Sequence, residues 1–348
     1  MILDAALAPA SLRDVPSLAA AAEALGFDAV WTSETQHDPF LPLGLVAERT
    51  TRLRFGTAVA IGFARSPTVL AHTAWDLAAA SGGRFLLGLG TQVRAHVERR
   101  FGMPWPSSPA RALRELILSL RAIWNTWQTG ERLNFRGQVY RLTLMTPFFS
   151  PPPVEAVSIP IYLAGVNRAL CRLTGEVADG LHVHPLHSAA YLRQVVLPAV
   201  RDGAKSAGRG ARDVALSTAV LTVTDPAEED FVRSQIAFYA STPSYRPVMA
   251  LHGWDDAADR LSGLARRGAW AEMPAVVDTE MLRTFAVVAP PDDMAQALHD
   301  RYDGLADRLT LYHPFRPGER DDFWQRLVQG LAERSRSIPK PYDAPSPT

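Results

Sequence analysis

A single cysteine, Cys171, serves the whole 348-residue chain. One thiol can form neither an intramolecular disulfide nor a cysteine-based zinc site. The chain also lacks any excess of charge: Lys plus Arg and Asp plus Glu number 36 each, so the formal net charge is zero. A nucleic-acid-binding domain ordinarily carries a basic excess. No apolar stretch reaches the roughly 18 residues that mark a membrane helix. The opening MILDAALAPASLRD has neither the basic start nor the long apolar centre of a secretory signal. These absences lead us to expect a soluble, cytoplasmic protein acting on a small molecule, with no nucleic-acid or membrane partner.

What the chain has is 47% hydrophobic residues, enough for a large core, and a regular rhythm. Apolar runs at Met1–Ala8, Asp28–Glu34, Leu53–Ile61, Arg84–Gly90, Ile159–Gly165, Gly180–Pro185, Asp213–Val223 and Asp307–His313 read as strands. Helical periods stand between them. Ser11 precedes Leu18, Ala22 and Leu25, and Gly26 stops the run. Ser66 and Pro67 open a second helix that Gly82-Gly83 ends. Others follow at Arg168–Val177, Ala189–Ala207, Asp292–Tyr302 and Asp321–Ser335. Eight alternations imply parallel βαβ units. A doubly wound sheet usually has about six strands, whereas a (β/α)8 barrel has eight and tolerates insertions. The expected fold is therefore α/β, one (β/α)8 barrel over residues 1–335. Insertions are expected after the fourth and seventh strands, at Arg94–Pro153 (with a hairpin turning at Arg136-Gly137) and Pro226–Leu282. A disordered, proline-rich tail is expected at 336–348.

The stretch SGGRFLLGLGTQ ends its strand in Gly88-Leu89-Gly90. A dinucleotide fingerprint needs a third glycine three residues on, where Val93 stands, and no Gly-Lys-Ser/Thr follows for a P-loop. In a barrel the same glycines lie at the C-terminal end of a strand, where active sites are built. Gly88 reads as packing room inside the barrel. Gly90 to Gln92 read equally as packing or as a close approach of backbone to a ligand.

Together, GFDAVWTSE, LRFGTAV, SPTVLAHTAWDLAAASGGRFLLGLGTQ, IYLAGVNRALCRLTGEVADG and DRLTLY resemble, in this order, the luciferase-like monooxygenases and flavin-dependent oxidoreductases. The likeness covers most of Met1–Phe315. ETQHDPFLPLGLVAERT and ERRFGMPW resemble the branch that uses the deazaflavin F420. The resemblance implies a bacterial luciferase-like barrel holding the cofactor ring at its C-terminal mouth. It implies a non-prolyl cis peptide at Ala58-Val59 against that ring, contacts from Gly90, Thr91 and Gln92, and cofactor phosphate on the backbone of Gly165, Val166 and Asn167. The last is physically apt, because a helix N-terminus offers free amides and a positive dipole end; an ordinary αβ turn is the other reading. A homodimer is also implied.

The sequence departs from its relatives twice. Many F420-linked proteins have a histidine directly after the acidic residue ending the second strand. Here Glu34 is followed by Thr35, and the nearest imidazole is His37. Some relatives carry a glutamate where this chain has Val93. Catalytic roles are therefore carried to His37 as proton donor, since imidazole titrates near neutrality, and to Glu34 as its holder or a ring contact. A local hydrogen bond by His37 and a loop cap by Glu34 are the alternatives. His182 and His184 share one strand face and are assigned to the substrate pocket; with no further ligand beside them, no metal is expected. Arg94, His96 and Arg99 are either surface charges or partners for the acidic tail of F420. The expected reaction is hydride transfer between F420 and an organic substrate. An FMN-dependent two-component monooxygenase and a non-catalytic flavin-fold binding protein are the alternatives.

Overall fold

The computed structural model describes residues 1–9, 11–155 and 158–335. The expected tail at 336–348 lies outside the described residues. Eight parallel strands run in sequence order: β1 (Ile2–Ala6), β2 (Ala29–Thr32), β3 (Arg54–Thr57), β4 (Phe85–Gly90), β5 (Ile161–Gly165), β6 (Gly180–Val183), β7 (Ala215–Val223) and β8 (Arg308–Leu311). Each pairs with the next, and β8 closes the barrel: Arg308 is in register with Ser217 of β7 on one side and with Ile2 of β1 on the other. This is the (β/α)8 barrel read from the sequence.

Local signals place the helices. In helix Pro67–Ser81 the Ser66 side chain accepts from the Val69 amide, Pro67 occupies the first turn, and Gly82 ends it at φ 63°. Helix Val15–Leu25 stops at Gly26 with φ 91°. One apolar cluster joins the helices to the outer strand faces. No helix among the described residues is long and apolar enough to cross a membrane.

The barrel's inside is a packed core rather than a pore. Trp31, Tyr162 and Leu86 fill it, around a buried ion pair. Arg308, 1% exposed, donates to both oxygens of Asp4 at 2.6 and 2.8 Å and to Asp28 at 2.5 Å. The Trp31 indole adds a 2.8 Å bond to Asp4. Burial acts to raise the Asp4 carboxyl and the Arg308 charge acts to lower it. With three donors on its oxygens, we assign Asp4 as the carboxylate of an ion pair. Gly88 supplies room here, as expected: a Cβ would lie 1.7 Å from the Thr57 carbonyl oxygen.

Both insertions are present. After β4 come helix Arg94–Arg99, helix Pro109–Thr129 and a hairpin pairing Phe135–Arg136 with Arg141–Leu142. The hairpin tip is Gly137–Tyr140, one residue later than read, because Arg136 still pairs with Arg141. After β7 a run of short helices ends in strand Ala286–Val288, which adds to Leu221–Val223 of β7 outside the closed ring.

Candidate active site at the barrel mouth

Side chains alternate across a strand, so residues two positions beyond the inward-facing set form the next layer up. That layer is Ala6, Ala58, Gly90, Ala164, His184 and Ala219, with Tyr312 at the rim. Except for Gly90 they are half-exposed. The mouth thus has a floor of methyl groups and backbone, with two polar rings on one side. A shallow apolar floor of this kind suits a flat ring.

One wall is built by the end of β3. The Ala58-Val59 peptide is cis, and Ala60–Ile61 then resumes parallel pairing with Leu89 and Gly90. A Cβ on Gly90 would stand 2.7 Å from Val59 Cγ2 and 3.5 Å from Ala164 Cβ. Gly90 therefore leaves a cradle that Val59 lines and any larger residue would fill. Thr91 and Gln92 follow it, both half-exposed, with Gln92 in the left-handed region at φ 58°.

Glu34 sits beside this wall, but its partner is not His37. Its carboxylate takes the Arg65 guanidinium at 2.6 and 2.8 Å and the Ile61 amide at 2.7 Å. Arg65 reaches Asp38 at 3.2 Å as well, and Asp38 caps the amides of Phe40 and Leu41. Burial acts to lower the Arg65 pKa, yet Glu34 and Asp38 outweigh it and raise the value. The clamp fixes the strand that follows Val59. His37 is exposed in the loop between β2 and this clamp and makes no hydrogen bond among the described residues.

Across the mouth, β5 ends at Gly165. Val166 is buried and its carbonyl accepts from the Tyr191 hydroxyl at 3.0 Å. Asn167 caps helix Arg168–Val177 through the Leu170 amide at 2.9 Å. The amides of Arg168 and Ala169 find no acceptor among the described residues. An anion-ready helix start is what remains.

The two histidines on β6 and its end lie in different layers. His182 is beneath the floor, against Trp31 and Tyr162 at 4.7 and 5.0 Å between ring centroids. Burial, then the Arg308 charge, pushes its pKa down to about 3. It underlies the pocket rather than lining it. His184 faces the mouth, stacked on Tyr245 at 4.0 Å and edge-on to Tyr239 at 4.5 Å. Its Nδ1 accepts the Leu186 amide at 3.1 Å, so the neutral ring carries its proton on Nε2. Burial, then His187, pushes His184 down to about 3. With Nδ1 so engaged, the neutral ring offers its Nε2–H as a hydrogen-bond donor. Tyr239, Tyr312 and Gln235 continue this wall through bonds of 2.7 and 2.9 Å.

Sequence reading did not single out Arg65, Tyr239, Tyr245, Tyr312 or Gln235. Arg65 lies 31 residues beyond Glu34, and nothing local announces their pairing. The tyrosines of the second insertion have no strand periodicity to place them. Arg94, His96 and Arg99 lie exposed on their short helix, with Arg94 paired to Glu98 at 2.9 Å.

Comparison with known proteins agrees with the fold. The family model described as luciferase-like monooxygenase matches residues 3–308. An uncharacterized protein of Mycobacterium tuberculosis is 46% identical over 307 residues, covering 86% of this chain and 90% of its own. The F420-dependent glucose-6-phosphate dehydrogenase of Mycobacterium avium is 26% identical, covering 94% and 95%. Among solved structures, the coenzyme F420 dependent tetrahydromethanopterin reductase of Methanopyrus kandleri superposes with a TM-score of 0.77 at 19% identity, covering 96% and 99%.

Proposed function

Since this chain belongs to the luciferase-like monooxygenase family and is an oxidoreductase of that class, we propose that it is an F420-dependent enzyme acting on an organic substrate at the barrel mouth. The observation that carries this reading is the cradle at Gly90, bounded by Val59 and Ala164 and open above a floor of alanines. The deazaflavin, when bound, accepts or delivers a hydride at its central carbon.

The chain's own residues supply the rest. Ala58, Val59, Gly90, Thr91 and Gln92 support the ring. Backbone at Gly165, Val166 and Asn167 receives the phosphate. Glu34 is a positioning residue, acting through Arg65 and the Ile61 amide. His37, exposed in the loop that follows Glu34, is the proton donor. His184 donates Nε2–H to a substrate oxygen from the opposite side.

Titration of the purified protein with F420 and with FMN, followed by fluorescence, tests the cofactor. F420 is expected to bind at least about tenfold more tightly, a difference of roughly 1.4 kcal/mol. Tight FMN binding without F420 binding would replace this reading with the monooxygenase one. Failure of both ligands to bind, or to raise the melting temperature, would favour a non-catalytic protein. Replacing His37 with alanine is expected to lower turnover about a hundredfold and leave the F420 dissociation constant unchanged.

A further inference from the structure

The wall of the mouth that His184 begins is aromatic from floor to rim. His184 stands at the end of β6, stacked on Tyr245 and edge-on to Tyr239. Tyr239 meets Tyr312 at 6.2 Å between ring centroids and Phe238 at 5.4 Å, and Phe238 meets Trp270 at 6.2 Å. Phe238 and Trp270 are 49% and 53% exposed. On helix Glu229–Ala240, Phe231 lies two turns before Phe238 on the same face and is exposed as well. Large apolar side chains that continue a site and stand open to solvent mark a surface for an apolar ligand. The phenol protons of the inner wall are already engaged. The Tyr312 hydroxyl donates to Gln235 at 2.9 Å, so the Tyr239 hydroxyl donates to Tyr312 at 2.7 Å. What these two tyrosines offer the mouth is ring surface.

The strip is uncharged too. Burial, then the Tyr312 hydrogen bond, raises the Tyr239 pKa, and burial pushes Tyr245 up to about 12, so both phenols stay neutral. Among the described residues no guanidinium or ammonium stands over any of its rings. Elsewhere at the mouth, Glu34 and Arg65 are paired with each other. An ion lying along the strip would lose its water and gain no counter-charge. We propose that the substrate is an uncharged molecule with an extended apolar body, its oxygen taking the His184 Nε2–H at the floor and its body lying from Tyr239 out across Phe238 and Trp270. This deepens the reading of the mouth as the active site and rests on it.

Calorimetric titration with two pairs of probes of matched shape tests it: methyl naphthyl ketone against naphthoate, and methyl octyl ketone against nonanoate. Each is run on the free chain and on the chain loaded with F420. At least one ketone is expected to bind, about tenfold or more tighter than its carboxylate. Phe238→Ala combined with Trp270→Ala is expected to weaken that ketone about tenfold and leave the F420 dissociation constant unchanged. No binding of either ketone, equal affinity for ketone and carboxylate, or ketone binding untouched in the double variant would overturn the proposal. If thermal melting shows the double variant unfolded, Trp270→Ala alone takes its place under the same criteria. F420 loading is read separately by fluorescence. A chain that takes a ketone and no F420 upholds the apolar substrate and removes the cofactor reading; one that takes F420 and no ketone does the opposite.

Discussion

Gly88 and Gly90 are two residues apart on β4 and are constrained by different things. At Gly88 a methyl group would meet the Thr57 backbone at 1.7 Å, which cannot yield without parting two strands. At Gly90 it would meet the tip of Val59 at 2.7 Å, which can turn away, into the space assigned to the ring. Gly88→Ala is therefore expected to cost about 3 kcal/mol or more, read as a lowered melting temperature. Gly90→Ala should melt much closer to wild type and weaken cofactor binding by at least about tenfold. Similar melting temperatures for the two variants would show that the distinction is wrong. At this scale the sequence discloses residue types but not partners. The G-x-G pair is visible, and so is the inward face shared by His182 and His184. That one histidine lies under the floor and the other on it depends on the height of each strand, which no local pattern encodes. Glu34 is visible, but the arginine that occupies it comes from the next βα unit.

All eight barrel strands fall inside the apolar runs read from the sequence, because strands buried on both faces are continuous and bounded by turns. The departures have local causes. The run Leu53–Ile61 is broken at Ala58-Val59 into two short pairings, a change of backbone direction that apolar character alone does not register. The segment Ala286–Val288 pairs outside the ring, so its strand character says nothing of barrel membership. The insertions were legible as insertions, and their contribution to the site was not. Tyr239 and Tyr245 reach His184 from one of them, and Glu115 governs the other. Burial acts to raise the Glu115 carboxyl, but three backbone amides outweigh it and hold it below its ordinary value. Its contribution is present above about pH 4.5 and is lost as pH falls through the lowered value. Glu115→Gln keeps the shape and removes the charge. We expect a loss of about 1–3 kcal/mol and faster amide exchange confined to Gln138–Tyr140. Unchanged exchange there would mean that the hairpin is held by something else.

For the whole molecule, the buried histidines His182, His184 and His187 contribute to the response to acid, and burial lowers His252 as well. Burial brings the first three from an ordinary 6.5 down to about 3, 3 and 4. Between those limits the unfolded chain binds more protons than the native one, so stability rises with pH. It is complete above about 6.5 and drains away as pH falls toward 4. Denaturant unfolding near pH 5 should show a net uptake of protons; a stability profile flat from pH 7 to 4.5 would contradict this. The last feature to follow through is the closing seam. β1 pairs with β8, and Asp4 and Arg308, its latch, stand 304 residues apart. During synthesis the first strand must therefore wait, its edge unpaired, until β8, 304 residues later, has left the ribosome. Long-range pairing of this kind is slow, and a waiting edge is open to wrong partners. A nascent chain arrested before Arg308 would consequently be the form most in need of a chaperone.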